Sequence, residues 1–166
     1  MKAGVRPAFG AALFLVFSLV AIAEIAAEPT AEGGVRSSTW TPLRGIWSLV
    51  AGDGAFGGTL DLGAVVGGLA LLLIVAVALG LAGLGLIAFL LGSRPHPVAA
   101  MAVGVAWGLV VQILLIDLLV ATALGHLPAY DALPHWAWWL GLGTWGAALG
   151  LLAAAGRTGE PQAGWA

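Results

Sequence analysis

Two polar residues in the third long apolar stretch of the chain are the strongest candidates for chemistry. Gln112 and Asp117 both lie inside residues 98–124, which are otherwise almost entirely apolar. A carboxylate in hydrocarbon is costly, so such residues usually face a partner side chain, a cavity or an ion path. Asp117 therefore has two interpretations: a proton or ion site with Gln112 as a second polar residue, or a structural hydrogen bond to Gln112, Thr144 or a backbone carbonyl. On a straight α-helix, Asp117 would point about 140° away from Gln112.

A second polar group precedes the fourth apolar stretch and consists of His126, Asp131 and His135. Two imidazoles and a carboxylate can bind a divalent transition metal. Their spacing matches no compact metal motif, so we predict a hydrated loop without metal and keep metal binding as the alternative. None of the three histidines lies within an apolar stretch, which excludes a haem held by two intramembrane histidines, and we predict no cofactor.

The chain lacks the residues that several other functions require. It has no cysteine, which excludes thiol enzymes and Cys-ligated metal sites. It contains no G-x-S-x-G nucleophile turn, no H-E-x-x-H zinc helix and no G-x-x-x-x-G-K-[ST] phosphate loop. We therefore predict no catalytic residues and no enzyme activity. Six scattered Lys and Arg residues and a net charge of −2 also argue against nucleic acid as a partner.

Helices that cross a lipid bilayer must position these residues. Hydrophobic residues make up 61% of the 166 residues and charged residues 8%, against roughly a quarter charged in soluble proteins. A bilayer core about 30 Å thick needs roughly 20 apolar residues in a helix. Four stretches qualify or nearly qualify, at about residues 8–27, 62–91, 98–124 and 136–155. The sequence predicts a single membrane domain, an all-α polytopic helical bundle, with a tail at residues 156–166.

The first stretch fits two fates. Lys2 and Arg6 precede a short apolar centre, and residues 21–23 form a small-x-small cleavage pattern. A secretory signal peptide has these features, and so does an uncleaved signal anchor. We favour retention, which gives four transmembrane helices, whereas cleavage leaves three.

Residues 28–60 form the largest segment outside the apolar stretches. Apolar side chains within it recur at i, i+3, i+4 and i+7, which predicts a short amphipathic helix over residues 42–50 lying in the outer membrane interface. These side chains are Leu43, Ile46, Trp47 and Val50. The alternative is a lid over the outer mouth of the bundle. Tryptophan favours the boundary between lipid and water, and we expect this position for Trp40, Trp47, Trp136, Trp138 and Trp139.

Glycines at four-residue spacing indicate where the helices pack. Lipid tails supply no hydrophobic drive between helices, so small residues that allow close backbone approach dominate their contacts. Each of the last three stretches carries one such pair, and the pairs are Gly63 and Gly67, Gly104 and Gly108, and Gly146 and Gly150. The short, proline-containing link at residues 92–97 predicts that the second and third helices form an antiparallel hairpin.

The distribution of basic residues predicts the orientation. With the N-terminus in the cytoplasm, the inner side holds four Lys and Arg residues and the outer side two. The inner set is Lys2, Arg6, Arg94 and Arg157, and the outer set is Arg36 and Arg44. We expect a multi-pass protein of a bacterial inner membrane, with both termini in the cytoplasm.

The scarcity of polar residues in the apolar stretches, together with the glycine pairs, favours an accessory or interaction subunit that packs through glycine-rich helix faces. Its expected partners are the lipid bilayer, other membrane proteins or further copies of the chain. The alternative is an oligomeric transporter or channel component that uses Asp117 and Gln112 as polar intramembrane sites. A few helices enclose little water, so this alternative requires several copies. An enzyme binding lipid or quinone near His126 and His135 is a third hypothesis, supported by residue types alone.

Overall fold

The computed structural model describes residues 2–25, 41–51, 62–92, 94–118 and 134–156. These ranges are helical and contain no strand, which confirms the predicted all-α fold. The helices are α1 (Lys2–Ile25), α2 (Thr41–Ala51), α3 (Leu62–Leu91), α4 (Pro97–Val111) and α5 (His135–Ala155), and a π-helical segment (Gln112–Asp117) continues α4. Four of them, α1, α3, α4 and α5, are long and apolar enough to span a membrane.

The helix bounds lie close to those expected from hydropathy. Helix α3 has the predicted bounds, 62–91, since no charged residue or proline interrupts it. Helix α1 begins earlier than predicted, at Lys2, and ends at Ile25. The predicted end of the third stretch, residues 119–124, lies outside the described residues, as do the predicted cytoplasmic tail beyond Gly156 and most of the predicted outer loop.

A short turn joins α3 to α4. Gly92 ends α3 with φ of 74°, a left-handed conformation that glycine adopts without strain. Its N–H donates to the Ala88 carbonyl at 3.0 Å. Pro97 then starts α4, where a missing amide N–H breaks no helical hydrogen bond. The indole Nε1 of Trp107 donates to the Leu79 carbonyl at 3.1 Å. These two residues lie at similar sequence distances from the turn, as antiparallel neighbours do.

Helix α5 lies at the centre of the bundle. It packs most extensively against α4 and also against α1, while α1 makes a second long contact with α3. Helix α5 buries the largest share of its apolar span and α3 the smallest. Trp145, in the middle of α5, has no exposed surface. Helix α1 contributes to the same core, since Ala8, Ala11 and Ala12 are fully buried.

Helix α2 packs on the first turns of α3. The indole of Trp47 lies where a side chain at Gly67 would be, 2.5 Å from an ideal Cβ position, and the backbone of Leu43 occupies the equivalent space at Gly68. The predicted helix is present, but its buried side differs from the predicted apolar face, because Ser48 is buried and Val50 is 65% exposed. The difference arises because α2 binds a glycine surface of α3 through Leu43 and Trp47.

Candidate intramembrane polar site

Gln112 and Asp117 form one polar site. The side-chain amide Nε2 of Gln112 donates a hydrogen bond to Oδ1 of Asp117 at 2.8 Å. Gln112 has no exposed surface, and Asp117 is half-buried. Of the hydrogen bonds considered from the sequence for Asp117, the structure shows the one to Gln112. The hydroxyl of Thr144 instead donates within α5, to the Leu140 carbonyl at 2.8 Å and the Gly141 carbonyl at 3.0 Å.

The π-helical segment brings these two side chains together. A π-helix bonds each N–H to the carbonyl five residues earlier, so residues five apart lie about one turn apart on the same face. The N–H of Leu118 accordingly donates to the Ile113 carbonyl. The expected rotation of Asp117 away from Gln112 was wrong, because it assumed a continuous α-helix. Single π-helical turns are rare, and those that do occur are often found at functional sites.

The π-helical segment begins where the close contact between α4 and α5 ends. The two helices touch through backbone at three successive levels, which pair Ala100 with Gly150, Gly104 with Gly146, and Gly108 with Leu142. The next residue of α4 at this spacing is Gln112, and the same register places it level with the buried Trp138 of α5. Both residues at this level carry large buried side chains, whereas each of the three preceding levels has a glycine on at least one helix.

One polar atom of the site is unsatisfied. Oε1 of Gln112 is buried and has no hydrogen-bond partner among the residues that the structure describes. An unsatisfied buried polar group costs about 1–3 kcal/mol, and most such groups in native proteins find a partner. The site therefore presents a buried acceptor that the described parts of the chain leave open.

The site lies away from the α3–α4 turn. Fifteen residues separate Pro97 from Gln112, which corresponds to about 22 Å along an α-helix. The hydrocarbon core is about 30 Å thick. Gln112 thus lies in the far part of the candidate span, Pro97–Leu114, and Asp117 follows the end of that span, near the level at which α5 begins.

The second predicted polar group is described only in part. His135 is the exposed first residue of α5, while His126 and Asp131 lie outside the described residues. Within the described ranges, no three His, Asp or Glu side chains come together as metal ligands. The metal alternative therefore stays a prediction about residues 126–135.

The predicted glycine pairs serve different contacts. Gly104, Gly108, Gly146 and Gly150 all lie between α4 and α5, where a Cβ at any of them would overlap backbone atoms of the facing helix. Gly67 instead accommodates Trp47 of α2, and Gly63 is exposed. Sequence reasoning missed Gly68 and also Gly83, whose missing side chain makes room for the indole of Trp107.

The five tryptophans expected at the interface also differ in their surroundings. Trp136 is 52% exposed and Trp139 is 37% exposed, as side chains facing the membrane boundary are. Trp47 of α2 is half-buried against α3, and Trp138 is 5% exposed inside the bundle. Trp40 lies outside the described residues. The half-buried Trp107 and the fully buried Trp145 were not identified from the sequence. For Trp107, a tryptophan in the middle of an apolar stretch was the available signal, since its N–H favours a protein acceptor over lipid, here the Leu79 carbonyl.

Comparison with protein-family models, curated proteins and solved structures finds no match to this chain.

Proposed function

We propose that this multi-pass membrane protein is an accessory or interaction subunit that binds another membrane protein through α2. The supporting observation is the attachment of α2 to α3. Leu43 and Trp47 hold the short helix on Gly67 and Gly68, and Leu49 and Val50 stay 49% and 65% exposed.

This arrangement fits a recognition surface. An amphipathic helix that only floats in the interface turns its apolar face toward lipid. Here part of that face is used inside the protein, and further apolar side chains project from a helix that is already held in place. Binding to such a surface loses little conformational entropy, because the surface is ordered in advance.

The test is affinity purification of the full chain from native membranes in a gentle detergent, with mass spectrometry of the co-purifying proteins. We expect a stoichiometric partner that is lost when Leu49→Ala and Val50→Ala are combined. Ile74→Ala is the matched control, since Ile74 is 68% exposed on the transmembrane part of α3. Purification of the chain without a partner, or a partner that survives the double substitution, contradicts the proposal.

A transporter or channel component is the second candidate, and the Gln112–Asp117 pair supports it. Polar residues that pair within a membrane helix commonly mark ion or substrate pathways. Glycine contacts hold α4 tightly against α5, so a continuous path would have to form between several copies. Liposomes containing the protein should then show ion flux that Asp117→Asn abolishes at unchanged protein content. Equal flux in this variant rejects the candidate.

We also propose the bacterial inner membrane as the location, with both termini in the cytoplasm. The basic residues at Arg6 and Arg94 favour this orientation. The absence of cysteine in the chain makes single-cysteine labelling direct. In intact cells, a membrane-impermeant maleimide should label His135→Cys and should reach His96→Cys only after permeabilisation. The reverse pattern overturns the orientation.

We propose further that α1 is retained in the mature protein. Its buried face fills the core, where Leu15 and Leu19 are 3% and 2% exposed and Leu19 lies against Gly141 of α5. Cleavage would uncover this surface of α5. The mass of the protein isolated from native membranes should include α1, and a mature N-terminus after Ala23 would contradict retention.

A further inference from the structure

We propose that Arg6 and Arg94 bind the phosphate of an anionic phospholipid at the end of the bundle that holds the α3–α4 turn. The site is separate from the α2 surface and from the Gln112–Asp117 pair, so it can fail while those proposals stand, and the reverse. It also holds whichever side of the membrane this end faces.

The two arginines flank the same end of α5. Gly10 of α1 and Ala100 of α4 both lie against the last two turns of α5. Arg6 precedes Gly10 by one helical turn, and Arg94 lies in the turn directly before α4. Both arginines are exposed, whereas Pro95, next to Arg94, is buried and anchors the turn. One exposed guanidinium therefore lies on each side of the C-terminal end of α5.

Within the described ranges, acidic side chains are absent from this end. The two acids that those ranges contain, Glu24 and Asp117, lie at the opposite end, where α1 and the π-helical segment finish. Lys2 adds a positive charge in the first turn of α1, while the charges of Arg157 and Glu160 in the tail cancel. Two helix N-termini and two C-termini meet here, so their dipoles largely offset one another. The side chains therefore make this end positive.

The arginines lie at the level where acyl chains meet headgroups. The candidate spans of α1 and α4 begin within three residues of Arg6 and Arg94. An exposed apolar side chain follows each arginine along the chain, Phe9 with 47% and Val98 with 61% exposure. A phospholipid can use both features, since its phosphate binds the guanidinium and its acyl chains cover the apolar side chains. A soluble phosphate can use only the first, so the surroundings favour a lipid.

The guanidinium group suits the phosphate of a lipid, because its N–H groups donate paired hydrogen bonds to phosphate oxygens. The net charge of the headgroup then decides which lipid binds. Phosphatidylcholine carries an ammonium group beside its phosphate, and the described residues at this end include no acid to pair with it. Phosphatidylglycerol carries the phosphate without an ammonium. We therefore expect the site to prefer phosphatidylglycerol.

The experiment is native mass spectrometry of the purified full chain in a non-ionic detergent, titrated with phosphatidylglycerol or with phosphatidylcholine of the same acyl chains. The natural chain should bind phosphatidylglycerol more tightly. Arg6→Gln and Arg94→Gln should each weaken this binding about fivefold, and the double substitution should abolish the preference. Arg44→Gln is the matched control, because it removes the same charge from α2 at the opposite end. It should bind phosphatidylglycerol as the natural chain does.

Inorganic phosphate distinguishes the two sources of the ligand. In large excess over the lipid, it should leave phosphatidylglycerol bound, because it has no acyl chains to contact the apolar side chains. Displacement by inorganic phosphate would assign the arginines to a free anion and overturn the lipid proposal. Equal binding of the two lipids by the natural chain, which needs no variant, also overturns it. So does a loss of preference in Arg44→Gln as complete as in the double variant.

Discussion

The contact between α4 and α5 gives a prediction whose size follows from the structure. In Gly146→Ala, the new Cβ would overlap the carbonyl oxygen of Gly104, and it would lie 2.7 Å from that residue's carbonyl carbon and 3.2 Å from the Cα of Val105. All three atoms belong to the backbone, so no rotamer change can relieve the overlap. The two helices must move apart.

The required movement sets the energetic cost. Carbon atoms reach favourable contact at about 3.5 Å, so the carbonyl carbon requires a separation of roughly 0.8 Å, and the closer carbonyl oxygen requires about 1 Å. A gap of this size removes about a quarter to a half of the dispersion energy of each contact across the interface. Overpacked cores typically lose about 1–3 kcal/mol. We expect Gly146→Ala to lower the free energy of unfolding by about 2 kcal/mol.

A double substitution sharpens this prediction. Gly104 and Gly146 face each other at the same level, and a Cβ at either meets the other's backbone. One separation of the helices relieves both overlaps, so Gly104→Ala combined with Gly146→Ala should cost clearly less than the sum of the single changes.

The assay is reversible unfolding of the purified chain in mixed micelles of increasing sodium dodecyl sulfate content, followed by circular dichroism. Gly85→Ala is the matched control, because an added Cβ at this glycine meets no atom within 4 Å. It should change the free energy of unfolding by no more than about 0.5 kcal/mol. If Gly146→Ala proves as stable as Gly85→Ala, the two backbones do not approach as closely as the structure shows.

Three further predictions follow from single contacts. Trp107→Phe removes the hydrogen bond to the Leu79 carbonyl and should lower the free energy of unfolding in the same titration by about 0.5–1.5 kcal/mol; an unchanged value would contradict the bond. Gly67→Leu should displace the indole of Trp47 and release α2, which hydrogen exchange with mass spectrometry would detect as faster exchange of α2 amides than in Gly85→Ala. Gln112→Met removes the unsatisfied Oε1 together with the amide nitrogen that donates to Asp117, so relief of the first offsets loss of the second, each about 1–3 kcal/mol; the free energy of unfolding should change by less than about 1 kcal/mol, and a larger loss would contradict this offset.

The helices could be predicted from the sequence because their determinants are local. A stretch such as residues 62–91, without a charge or a proline, forms its backbone hydrogen bonds internally, and observed and predicted bounds agree. The turn at Gly92 and Pro97 follows from the backbone preferences of these two residue types.

The pairing of the helices could be predicted only in part. Three glycine pairs with the same spacing do not specify which faces meet. Gly104 and Gly108 pack against α5, whereas Gly67 packs against Trp47 of a short helix outside the predicted spans. The choice depends on whether the facing helix presents bare backbone, as α5 does, or a bulky side chain such as Trp47, and this information is distant in sequence. For Gly83, the relevant side chain, Trp107, belongs to another helix.

The polar site illustrates what a periodicity argument cannot supply. The two residue types were visible, but their relation depends on the backbone, because α-helical geometry separates positions 112 and 117 and π-helical geometry joins them. The spacing itself is informative once the cost of burial is considered. Two polar side chains five residues apart in an apolar stretch each need hydrogen-bond partners. A local π-helical turn allows the two side chains to form one of these hydrogen bonds with each other. That turn satisfies the amide nitrogen of Gln112 and leaves Oε1 open. If these two positions served only the fold, two apolar residues on an uninterrupted α-helix would be more stable, because they leave no buried oxygen unsatisfied. The unsatisfied Oε1 is therefore the physical reason to look for a ligand here.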